Sequence, residues 1–252
     1  MKTTIIGTLL LLAGLRPAVP PARSAVLVEL FTSEGCSSCP PADALLASLL
    51  QEQPIANAEI VAFELHVDYW DRLGWKDPFS SRAFTNRQES YARSFGGTDV
   101  FTPQMVVDGR EHFVGSDRAE ATKAIGVAAA REHLPLAVST RVAGESLRMT
   151  IDLPAAPRGG EPVDVFAAVT ERELTSVVAR GENGGRTLKH AAVVRKIQTL
   201  GSLEPQPFVA EGQWKIERSW IPRNLHAVAW LQGRKTNQVY GAATGTPNRD
   251  SQ

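Results

Sequence analysis

Hydrophobic and polar positions give this chain two textures. In the first half, unbroken apolar runs alternate with helical stripes. Residues 26–31 form a near-continuous apolar run, as expected of a strand covered on both faces. Ala42, Leu45, Leu46, Leu49 and Leu50 then recur at i, i+3, i+4, i+7 and i+8, one face of a helix. Pro40 and Pro41 fit only the first turn of that helix, where a missing N–H costs nothing. Residues 59–67 predict a second, doubly covered strand. Residues 78–95 predict a helix with Phe84, Tyr91 and Phe95 on one stripe, ended by Gly96-Gly97. Two short strands flank Asp108-Gly109, a strong hairpin signal. Ser116 or Asp117 can cap a last helix, running to about His133 and burying Ala124, Ile125 and Ala128. The predicted order is β-α-β-α-β-β-α.

From Leu136 onward no helical stripe is visible. Residues 136–142, 146–153, 163–170, 188–200, 214–220, 225–232 and 238–242 read as strands, separated by turns such as Ala143-Gly-Glu and Gln232-Gly-Arg. Short strands without helices predict a β-sandwich, about seven strands in an immunoglobulin-like module. The expected division is an α/β domain over residues 25–134, an all-β sandwich over 135–243 and a disordered tail over 244–252.

Composition adds three limits. The 252 residues are 43% hydrophobic and 21% charged, a normal globular mix. Lys plus Arg balances Asp plus Glu at 27 each, with no basic run, which argues against nucleic acid or an anionic membrane as partner. Lys2, the apolar run 5–15 and Pro17, Pro20 and Pro21 suit a secretory signal over residues 1–24, the alternative being an uncleaved anchor. Export predicts a periplasmic or secreted protein in an oxidising compartment, with no stable membrane span after cleavage.

Candidate chemistry centres on Cys36 and Cys39, the only cysteines. They stand between the first strand and the first helix, at or just before the helix N-terminus. Unpaired N–H groups and the helix dipole favour a thiolate there. Cys36, the outer residue, is then the expected nucleophile and Cys39 the resolving thiol. A lone C-x-x-C is also compatible with half a zinc site or a structural disulfide. Zinc wants four ligands, and no second C-x-x-C or H-x-x-x-H is present, so no metal site is predicted. Copper, with His66 or His112 as third ligand, stays open.

Strand, C-x-x-C and helix together resemble the start of the thioredoxin fold. The wording F-T-S-E-G-C-S-S-C-P-P-A-D resembles, more narrowly, a bacterial family of secreted thioredoxin-like proteins known as a domain of unknown function. The resemblance implies that the first domain is thioredoxin-like. It also implies that Thr102-Pro103 is a cis X-Pro pair entering the third strand, facing the cysteines and holding a substrate chain. Glu29, a carboxylate in mid-strand, resembles by position the buried acid of thioredoxins, which would move the proton of Cys39. The alternative for Glu29 is a hydrogen-bonded acid at a sheet edge.

Two other stretches are candidates. The loop after the second strand carries Tyr69, Trp70, Asp71 and Trp75, beyond the carboxyl end of a strand, where α/β proteins bind ligands. Trp70 and Trp75 either wall a substrate groove or pack beneath the loop. Residues 181–190 are either a hairpin turn or a loop offering Arg186 and His190 to the cysteines. The functional expectation is a thiol–disulfide oxidoreductase acting on protein or small-molecule thiols, without a cofactor beyond a Cys36–Cys39 disulfide. The alternatives are a secreted scaffold with a structural disulfide and a copper- or zinc-binding protein.

Overall fold

The computed structural model describes residues 23–157 and 159–249. The expected signal segment therefore lies almost wholly outside the described residues.

The first half follows the predicted order. Strand β1 (Ser24–Thr32) leads through the cysteine loop into α1 (Pro40–Glu52), then β2 (Ala58–His66) and a 3-10 turn at Asp68–Leu73. Helix α2 (Arg82–Ser94) follows, then the hairpin β3 (Gln104–Val107) and β4 (Glu111–Val114), then α3 (Arg118–Ala129). Ser81 caps α2 and Asp117 caps α3, each accepting from backbone N–H groups of the first turn. Alternation along β1 sorts the core. Val26, Val28 and Leu30 pack under α1 and α3, whereas Leu27 and Phe31 face Phe84 and Tyr91 of α2.

The second half adds β5 (Ala137–Ala143), β6 (Ser146–Leu153), β7 (Val163–Val177), β8 (Thr187–Ser202), β9 (Phe208–Lys215), β10 (Leu225–Gly233), β11 (Val239–Gly245) and β12 (Asn248–Arg249). The predicted strand over 214–220 is displaced, because β9 ends at Lys215 and Trp220 sits in a turn. Residues 244 and 245 continue β11 instead of starting a tail, and β12 pairs with β5.

The predicted fold class, a thioredoxin-like domain followed by an immunoglobulin-like sandwich, is not what forms. Eight strands make one mixed sheet in the order β11-β10-β7-β8-β2-β1-β3-β4, and only β12-β5-β6-β9 form a separate small sheet. The join is β8 against β2, parallel, with Glu64 opposite Val193. The physical reason is that β2 would otherwise leave an unpaired edge. Strands β7 and β8 divide the work: β7 packs on the small sheet through Val163, Val165, Ala167 and Val169, while its neighbour β8 reaches β2. The sheet curls so that Trp230 of β10 meets Phe63 of β2, 5.4 Å between ring centroids. The small sheet covers the other face of β7 and β10 through Leu147, Met149, Ile151, Val165 and Ala229.

Candidate functional site

Strand β1 ends at Thr32, and the chain turns tightly before α1. The N–H of Cys36 donates to the Ser33 carbonyl at 3.2 Å, and the N–H of Cys39 donates to the Cys36 carbonyl at 3.2 Å. Gly35 allows a close approach here, since a Cβ on it would lie 3.2 Å from Trp70 Cβ. Cys39 is the N-cap residue of α1, and Cys36 is joined to it by a disulfide. Both cysteines are fully buried, whereas Ser37 and Ser38 between them are exposed. Ser38 Oγ lies 3.4 Å from Cys36 Sγ.

The loop that carries the pair is held by the distant half of the chain. Asn183 is buried and donates from Nδ2 to the carbonyls of Glu34 and Cys36, both at 2.9 Å. Glu182 accepts the Ser37 N–H at 3.0 Å. Arg186 donates to Asn183 Oδ1 at 2.7 Å, holding the amide in its orientation. The turn at 181–185 carries positive φ at Gly181 (76°) and Gly185 (81°), a conformation glycine adopts without strain. Residues 181–186 thus form both a turn and a clasp on the cysteine loop.

Behind the cysteine loop lies a buried polar cluster. Glu64 and His66 project from the same face of β2, as residues two apart in a strand must. His190 of β8 comes beside them, its ring centroid 5.0 Å from that of His66. Glu64 Oε1 accepts the Ala191 N–H at 3.0 Å, while Oε2 lies 3.7 Å from His66 Nε2 and 3.6 Å from His190 Nδ1. His66 Nδ1 is 2.7 Å from Asp77 Oδ2, and His190 Nε2 is 3.2 Å from Glu34 Oε1. Asp77 also accepts the N–H groups of Glu34 and Phe79, and Glu34 Oε2 accepts from Trp75 Nε1 at 2.7 Å. Without an ion, burial opposes charge on His190, but Glu34 and Glu64 outweigh it and lift its pKa to about 9. Burial likewise opposes charge on Glu64, yet the two histidines hold it down to about 2. Among the described residues, the ligand-type atoms of Glu64, His66 and His190 all lie within 4.8 Å of one another, a spacing compatible with a metal ion.

Asp43, one turn beyond Cys39 on α1, accepts from Thr32 Oγ1 at 2.7 Å. Burial, then the charge of Glu64, pushes its carboxyl up to about 7, against the Thr32 hydrogen bond. Asp43 and His190 both border a groove between α1 and the β7–β8 hairpin, about 870 Å³ in volume.

The sequence-predicted residues distribute as follows. Thr102-Pro103 is cis, and Thr102 Oγ1 accepts from Trp70 Nε1 at 2.8 Å, so Trp70 links it to Gly35 beside Cys36. Trp75 is fixed on Glu34. Arg186 and His190 come to the cysteine loop, Arg186 through Asn183 and His190 through Glu34. Glu29 is the exception. It points to the α2 face, opposite α1, where Arg87 grips it bidentately at 2.5 and 2.8 Å and Tyr91 donates to it. An acid on that face cannot exchange a proton with Cys39 across the sheet. His112, the other proposed copper ligand, is exposed and stacks on Phe95 at 4.3 Å, and both sulfurs are spent in the disulfide. Sequence reasoning missed Glu34, Asp43, Glu64, Asp77 and Asn183. A usable signal was Glu64-Leu-His66 within an otherwise apolar strand; Asn183 carried none beyond its turn.

Fold and site together define a mostly-β, mixed-sheet protein with a buried C-x-x-C disulfide at the N-terminus of its first helix. Residues 27–232 match the family described as "Protein of unknown function (DUF1223)", and the chain belongs to that family. It is similar to a protein of Agrobacterium tumefaciens solved by structural genomics, at 29% identity and a TM-score of 0.70, over 91% of this chain and 97% of that one. A domain of the outer membrane lipoprotein Omp28 from Porphyromonas gingivalis matches at 12% identity and a TM-score of 0.33, over 48% of this chain and 92% of that one, too weak a likeness to bear on fold or function. No curated protein matches the chain. Among the described residues no helix is long and apolar enough to cross a membrane.

Proposed function

We propose that this protein exchanges thiols and disulfides through Cys36 and Cys39, outside the cytoplasm. The observation that carries the reading is the Cys36–Cys39 disulfide seated at the N-terminus of α1, where the helix dipole favours the thiolate that exchange requires. In the oxidised protein, a substrate thiolate attacks Cys36 Sγ. The S–S bond breaks, and Cys39 leaves as a thiolate that takes a proton. A second substrate thiolate then displaces Cys36 from the mixed disulfide. Two electrons and two protons pass from substrate to protein, and the reverse sequence oxidises the protein. Cys36 is assigned as the sulfur in the mixed disulfide because it precedes α1 in the loop, whereas Cys39 is the N-cap residue of that helix. Asp43 replaces Glu29 as proton carrier, since it lies on α1 and its pKa of about 7 suits transfer near neutrality. Substrates are protein or small-molecule thiols. Since Cys36 is fully buried, the cysteine loop must open for exchange to occur, which would loosen its bonds to the 181–186 clasp.

That same burial favours a second reading, a non-catalytic secreted protein whose disulfide only braces the loop. Exchange with a model disulfide peptide separates the two. The reduced wild type should react faster than free cysteine, Cys36→Ser should be inert, and Cys39→Ser should accumulate a trapped mixed disulfide. A reduced protein that reacts no faster than free cysteine leaves the brace as its function.

A further inference from the structure

We propose that Glu64, His66 and His190 form a binding site for a divalent first-row metal ion of the zinc class, separate from the cysteines. Three buried atoms carry the argument. Glu64 Oε2, His66 Nε2 and His190 Nδ1 are each shut off from solvent and each lack a hydrogen-bond partner. Buried polar atoms are rarely left this way, and three within 4.8 Å of one another have the grouping of a ligand set.

The other polar atom of every member is occupied. Glu64 Oε1 accepts from the backbone, His66 Nδ1 faces Asp77, and His190 Nε2 faces Glu34. An imidazole that gives one nitrogen to a carboxylate and turns the other inward is set up to ligate, because the carboxylate selects the tautomer and raises the basicity of the free nitrogen. The supports are themselves held: Asp77 by two backbone N–H groups, Glu34 by the Trp75 indole.

The spacing fits an ion better than a proton. Bonds of about 2.1 Å at tetrahedral angles put neighbouring ligand atoms roughly 3.4 Å apart. The separations of 3.6 and 3.7 Å from Glu64 Oε2 are close to that edge. They are too long for hydrogen bonds, so two imidazoliums would leave both inner N–H groups unsatisfied. Two histidines and one carboxylate suit zinc and iron(II), and three protein ligands leave a position for water or substrate. Phe79 packs against both imidazoles, its ring edge-on to each at 5.4 Å between centroids.

The test uses the untagged, oxidised full chain and a Cys36→Ser/Cys39→Ser variant, so that no thiol competes. Each is stripped with chelator and titrated with Zn²⁺ against a chromophoric competitor, and Co²⁺ is then added to read its ligand-field spectrum. We expect one ion per chain in both proteins, with a Co²⁺ spectrum of low-symmetry nitrogen and oxygen coordination. Asp77→Asn should weaken binding 10- to 100-fold while leaving the ligands in place. His190→Gln should weaken it further, with a wild-type circular dichroism spectrum showing that it folds. Should His190→Gln not fold, Asp77→Asn and the Co²⁺ spectrum decide. Failure of the oxidised wild type to bind an ion stoichiometrically would overturn the site, as would binding that vanishes in the double cysteine variant or ignores Asp77→Asn. Thiol exchange is measured separately, so either proposal can fail alone.

Discussion

Asn183 Nδ2 donates to the Cys36 carbonyl at 2.9 Å across 147 positions of sequence. The same amide holds the Glu34 carbonyl, so one side chain fixes both the cysteine loop and the acid behind it. Chain segments expected in separate domains therefore meet at the disulfide.

Replacing Asn183 with Ala should leave the Glu34 carbonyl unpaired and the Cys36 carbonyl with only the Cys39 N–H, costing about 1–3 kcal/mol. The thermal midpoint should fall, and dithiothreitol should reduce the disulfide several-fold faster than in wild type. An unchanged reduction rate would mean that the clasp does not control access.

Asp43→Asn should separate stability from activity. The Asp43 pKa is raised from an unfolded value near 3.8 to about 7 in the fold, so the native state binds its proton more tightly. Its penalty is absent at low pH and grows as pH rises through that window. Asp43→Asn should therefore stabilise the protein more at pH 8 than at pH 5, while slowing thiol exchange at least tenfold near neutrality. Urea midpoints at both pH values and exchange kinetics would show this; equal midpoint shifts would contradict it.

Arg87 lies between the Tyr91, Phe166 and Trp230 rings and grips buried Glu29, with a further bond to Gln232. Arg87→Met leaves the buried Glu29 carboxylate without its cation, held only by Tyr91, and should cost about 3–5 kcal/mol by urea unfolding. Adding Glu29→Gln should recover part of that loss. Glu29→Gln alone should leave thiol exchange at the wild-type rate, because its side chain faces away from α1.

His133 Nε2 pairs with Asp108 Oδ2 at 2.9 Å, a hydrogen bond that raises the histidine pKa above 6.5. The folded state thus holds this proton more tightly than the unfolded state. The gain is fully present below about pH 6.5 and lost as pH rises through the higher folded value. His133→Gln should therefore lower the melting temperature more at pH 6 than at pH 9, by the equivalent of about 1 kcal/mol or less. A constant difference would assign the effect to packing.

Much was legible locally. The stripe from Ala42 to Leu50, the Asp108-Gly109 hairpin and the run of 146–153 became α1, the β3–β4 turn and β6, because each is set by side-chain periodicity or turn chemistry within a few residues. The C-x-x-C before α1 was equally plain, since Pro40 and Pro41 admit only a helix start. Periodicity does not say which edge a strand will join. The pairing of β8 with β2 turned two expected domains into one sheet. It also brought His190 to Glu64 and His66, and Asn183 to Cys36. Glu29 shows the same limit from the other side: its place in β1 was readable, but the face it points to depends on which helix covers that face. Local order follows from nearest neighbours in the chain, whereas these contacts arise from satisfying a free strand edge and burying both faces of a curled sheet. Only the assembled tertiary structure could decide them.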